Sequence, residues 1–61
     1  MNQNELYEWM MSLAKLLNNL NNIATLAEIQ RQQDGINWPM MQRILQKELE
    51  RLTQLITTIP D

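Results

Sequence analysis

One interruption governs how this chain can fold. The segment Asp34-Gly35-Ile36-Asn37-Trp38-Pro39 holds the only glycine and the only proline away from the end of the sequence. It parts two stretches in which leucine, isoleucine and methionine recur every three or four residues. Glycine just past one helix and proline near the start of the next is the expected punctuation between consecutive helices. Strand signals are nearly absent: valine is missing, alternating runs are rare, and leucine with methionine dominates the apolar set, which favours helix. The expected fold class is all-α, in a single small domain of residues 1–61.

Before the interruption, Leu6, Met10, Leu13, Leu17, Leu20, Ala24 and Ala27 repeat at alternating spacings of four and three. Trp9, Leu16 and Ile23 widen that stripe on one side, and an apolar face so broad buries against more than one neighbour. After it, Leu45, Leu49, Leu52, Ile56 and Ile59 keep the same spacing, with Met41, Ile44 and Leu55 beside them.

The architecture turns on whether the first stretch is one helix or two. Asn18, Asn19, Asn21 and Asn22 lie in its middle. Interior asparagines cost about 0.6 kcal/mol each relative to alanine, on the order of 2 kcal/mol for four. Directly afterwards, Thr25-Leu26-Ala27-Glu28 has the form of a capping box. Both features favour a break near residues 21–24, giving three helices over about 4–20, 25–33 and 38–53 and a short extended tail over 55–59. Against the break stands the apolar stripe, which runs in phase from Leu20 through Ile23 to Ala27.

With the break, Thr25-Leu26-Ala27-Glu28-Ile29, then Gly35-Ile36, then Met41-Gln42-Arg43-Ile44-Leu45 with Leu49 and Leu52, resembles the helix-turn-helix core of small winged-helix transcription regulators. The resemblance spans about residues 13–56 and is one of residue types. It implies that Leu26 and Ile29 face the core, that Ile36 plugs the turn, and that Met41, Ile44 and Leu45 seat the second helix. It further implies double-stranded DNA as partner, with Asn37, Trp38, Gln42, Arg43, Gln46 and Lys47 outward on a helix in the major groove. Glutamine pairs with adenine and arginine with guanine, while Lys47 and Arg31 suit phosphates. Residues 30–47 carry Arg31, Arg43 and Lys47 against Asp34, whereas the chain as a whole has a net charge of −2.

Without the break the chain is a two-helix αα-hairpin turning at residues 34–37, its spacings read as a bundle seam. A single hairpin then leaves the broad face of Trp9, Leu16 and Ile23 half exposed. Pairing with a second copy through Leu6, Trp9, Leu13, Leu16, Leu20 and Ile23 buries that face in a dimeric four-helix bundle. Function is then interaction, as an adaptor or inhibitor of another protein that never touches nucleic acid.

Either way a partner is expected. A chain near 60 residues buries only about 60% of its unfolded surface, and small folds usually need a disulfide, a metal or association. Cysteine and histidine are both absent, which removes disulfides and ordinary zinc sites and leaves association, with a homodimer as the leading expectation. The same absences remove the usual general base, the thiol nucleophile and the common metal ligands. Glu5 and Glu8 suit the start of a helix, and Glu48 and Glu50, two apart, cannot face each other. Neither catalysis nor a cofactor is expected. The longest apolar run is far short of the roughly 20 residues that cross a bilayer, and the polar start Asn2-Gln3-Asn4-Glu5 is unlike a signal segment. The expected setting is cytoplasmic, with no membrane partner.

Overall fold

The computed structural model describes residues 2–60. They form two helices, α1 (Gln3–Gln32) and α2 (Trp38–Thr57), which fold back on each other as an antiparallel hairpin. Among the described residues there is no strand. The hairpin measures 48 × 16 × 8 Å, its long dimension that of the 30-residue α1 at about 1.5 Å per residue. Its radius of gyration is 14.8 Å, against about 10.5 Å for a compact domain of this length.

Each helix end is tied off locally. The Asn2 side-chain oxygen accepts from the Glu5 amide at 2.7 Å, satisfying one of the free N–H groups that open α1. At the far end the Gly35 amide donates to the Gln30 carbonyl at 2.7 Å. That return takes Gly35 to φ +96, where a side chain is disfavoured. The Gln30 side chain then accepts from the Asn37 amide at 3.0 Å, so one residue holds both sides of the turn. Asn37 caps α2 through its side-chain oxygen and the Met40 amide, and Pro39 occupies the first turn, where its missing N–H costs nothing.

The break near residues 21–24 does not occur, and with it goes the three-helix arrangement. Thr25 does not cap; its hydroxyl donates back to the Asn21 carbonyl at 3.1 Å, as a residue inside a helix does. Asn18, Asn21 and Asn22 point to solvent and only Asn19 is half-buried. Leu20 and Ile23 pass through the same stretch half-buried, each contributing on the order of 1 kcal/mol. Together with Ala27 they offset the asparagine cost. Packing of a continuous stripe overrides local propensity here.

Two further expectations change for related reasons. The extended tail over 55–59 is not formed: α2 continues to Thr57 because Leu52 and Leu55 carry the seam onward, and a lone strand has nothing to pair with. Leu26, Ile29 and Ile36 are exposed rather than in a core. Their burial required the shorter second helix to cross the others, and a straight α1 turns Ile29 outward and leaves Leu26 at the hairpin's edge.

The seam runs along Leu6, Trp9, Leu13, Leu16, Leu20, Ile23, Ala27 and Gln30 on α1, and along Met41, Leu45, Glu48, Leu52 and Leu55 on α2, all buried or half-buried. At its centre only Leu16 and Met41 are buried apolar residues, with 5% and 2% of their surface exposed. Leu16, expected to stay half exposed in a single hairpin, is therefore covered by α2. The third buried residue is Glu48, which falls in register between Met41 and Leu55. One of its oxygens accepts from Arg51 Nη1 at 2.9 Å, and the other is buried without a partner.

Candidate interaction face

An antiparallel helix pair is related by an axis normal to the plane of the hairpin, so equivalent positions on the two helices share one side of it. Met10, Leu17 and Ala24 lie one residue beyond the seam positions Trp9, Leu16 and Ile23. Gln42, Leu49 and Ile56 lie one residue beyond Met41, Glu48 and Leu55. All six are exposed. A cleft of about 240 Å³ near the turn fixes their common side, because Ala24 of α1 and Trp38 and Leu45 of α2 line it together.

This side is largely apolar from Met10 and Ile56 to the cleft near the turn. Leu17 is 57% exposed and Leu49 60%, with Met10, Trp38 and Ile56 exposed to similar degrees. Between these rows lie the half-buried Leu13, Leu20, Leu45 and Leu52. Met10, Leu17, Ala24, Gln42, Leu49 and Ile56 include no charge and one amide, Gln42; the α1 row begins at Gln3 and ends toward the turn at Arg31, which stands beside Glu28. The opposite side is different in kind. There Glu5, Glu8, Ser12 and Thr58 surround Trp9 and Leu55, with Arg51 and Asn19 further along. Leu26, Ile29 and Ile44, toward the turn, interrupt its polarity. The hairpin thus has one mainly polar and one mainly apolar broad side, the difference being sharpest away from the turn.

The residues expected to meet DNA fall into three groups. Trp38, Gln42, Arg43 and Gln46 line a shallow groove on α2 together with Pro39, Leu45 and Leu49. Arg31 and Lys47 are exposed outside it, and Arg31 stands 3.9 Å from Glu28 in an exposed pair of little energetic weight. Asn37 is engaged at the turn, its amide on Gln30 and its side-chain oxygen on Met40. Of the residues assigned to an oligomer interface, Leu16 is buried inside the hairpin, and Leu6, Trp9, Leu13, Leu20 and Ile23 sit half-buried in its seam.

The exposed apolar row was not among the assigned site residues. Its signal is present as a seven-residue repeat, Met10 to Leu17 on α1 and Leu49 to Ile56 on α2, each one step from the seam. The hydrogen bond from Trp9 Nε1 to the Leu55 carbonyl has no sequence signal, since it depends on how the hairpin registers. Neither helix is long and apolar enough to cross a membrane. Comparison with known protein families, with curated proteins and with solved structures gave no match.

Proposed function

We propose that this chain is a helical protein-interaction module that acts by binding rather than by catalysis, inside the cell. The observation that carries this reading is the exposure of Leu17 and Leu49, at 57% and 60%, in the uncharged middle of a face two helices wide. Contiguous apolar surface rimmed by polar residues marks sites of association. Partners that fit it present apolar helical ridges, as the rows of a bundle do. Site-specific photo-cross-linking in cells expressing the chain tests the reading. A cross-linker at position 17 or 49 is expected to give protein adducts, and one at Asn22, on the outer side of α1, none. Equal labelling at all three positions, or none at any, overturns it.

A second reading has its own observation. Trp38, Gln42, Arg43 and Gln46 are exposed along one groove of α2, a set suited to base edges and phosphates. It retains the DNA-binding role implied by the winged-helix resemblance, with α2 as the helix in the groove. Gln42 belongs to both surfaces, so DNA and a helical partner compete for this side of α2. Fluorescence anisotropy with random duplex DNA separates the two. DNA binding predicts affinity that falls with salt and collapses in an Arg43→Ala/Lys47→Ala variant. No binding at tens of micromolar in low salt removes this reading.

A further inference from the structure

We propose that the occupant of the apolar face is a second copy of this chain, giving a two-fold four-helix assembly. The inference rests on the interaction reading and names its partner. Three observations carry it.

The first is area. The chain exposes 5119 Å², whereas a compact monomer of 7.3 kDa exposes about 4,170 Å². The excess of about 950 Å² belongs to the elongated hairpin as a whole, and it exceeds the roughly 800 Å² that each partner contributes to a standard interface. A single helix laid between α1 and α2 touches both but leaves their outer flanks open, whereas a second hairpin covers both rows.

The second is charge. A heterologous partner is commonly selected by charges set opposite its own. Met10, Leu17, Ala24 and Gln42, Leu49, Ile56 carry none, and Arg31, which ends the α1 row at the turn, stands beside Glu28 of its own chain, so the middle of the face meets itself without placing like charges together. Two-fold pairing requires that self-complementarity.

The third is the closed state of the other side. There Trp9 donates to the Leu55 carbonyl and one Glu48 oxygen accepts from Arg51, so side chains already cross or cover that side within one hairpin. The apolar side has no such closure. Stacking two hairpins through it buries Leu17 and Leu49 and extends the seam of Leu13, Leu20, Leu45 and Leu52 into a continuous core.

Sedimentation equilibrium of the full chain, with photo-cross-linkers placed at Leu49 and, as a control, at Asn22, tests the inference. The expected result is twice the chain mass at tens of micromolar and a covalent dimer from position 49 alone. A Leu17→Glu/Leu49→Glu variant is expected to weaken association at least about a hundredfold, two desolvated charges per chain opposing it. Its folding is not required, because the unsubstituted chain already decides the mass. A monomer at several hundred micromolar overturns the inference, as does a dimer that cross-links from position 22. If the monomer still cross-links another protein through position 49 in cells, the second copy is wrong and the interaction reading stands. Absence of any adduct at position 49 overturns both.

Discussion

The indole of Trp9 donates to the main-chain carbonyl of Leu55 at 2.9 Å, joining residues 46 positions apart. Leu55 lies in the last turn of α2, where its carbonyl also accepts from the Thr58 amide at 3.3 Å. The indole is thus a second, long-range donor at a carbonyl the Thr58 cap already reaches, and it fastens the open end of the hairpin, as Gln30 fastens the turn.

Trp9→Phe keeps a large ring in the seam and removes the donor. The expected loss is about 1 kcal/mol, the net value of one hydrogen bond, while Trp9→Ala is expected to cost about 3 kcal/mol through lost packing. Urea denaturation followed by circular dichroism, at one fixed chain concentration, measures both. Equal losses for the two substitutions would show that the hydrogen bond contributes the whole effect and the ring nothing.

Glu48 is 7% exposed with one carboxylate oxygen lacking a partner, in a row otherwise filled by Met41 and Leu55. Replacing a buried charge with an apolar side chain of similar volume is often stabilising by about 1–4 kcal/mol. Glu48→Met is expected to raise stability by about 1–2 kcal/mol, because exposed Arg51 already offsets part of the cost. Arg51→Ala, leaving Glu48 alone, is expected to lower stability by about 1 kcal/mol in the native background and by nothing measurable in Glu48→Met. A double-mutant cycle reads that coupling directly.

Gly35 tests the turn. A Cβ there meets nothing within 4 Å, so any cost of Gly35→Ala is backbone strain at φ +96, expected at about 1–2 kcal/mol. Gly35→Asn is expected to cost less, since asparagine tolerates positive φ better. Thermal denaturation of the two variants checks the order. If alanine is no worse than asparagine, the turn has changed conformation.

Much of the hairpin is legible in the sequence, and the misses share a cause. The turn is marked by Gly35 and Pro39, whose effects are local. The phase of each stripe is also local, but which edge of it turns inward is not. Trp9, Leu16 and Ile23 read as the outer edge of α1, yet α2 packs over them and leaves Met10 and Leu17 outside. That choice is made by α2, which sets Met41, Glu48 and Leu55 inward even though one of them is charged. A carboxylate at a seam position reads as surface until its register with Met41 and Leu55 is taken into account. Thr25-Leu26-Ala27-Glu28 misleads for the opposite reason: a capping pattern is sufficient to begin a helix only where the preceding residues have cause to end one.

The asparagine cluster supplies the last test, because it separates a continuous α1 from a jointed one. Asn18, Asn21 and Asn22 are helical and exposed, so each carries the propensity cost of asparagine with no contact to offset it. Replacing all three by alanine is expected to add about 1.5–2 kcal/mol, without moving the seam or the exposed face. A jointed chain responds differently: alanines there would stiffen a segment that has to bend, and stability would fall. Chemical denaturation gives the sign, and amide exchange gives the location. In the native chain, amides across residues 20–26 are expected to exchange as slowly as those of the neighbouring turns, because Leu20 and Ile23 hold that stretch against α2. Fast exchange confined to those residues would place a joint in α1 and restore the three-helix arrangement.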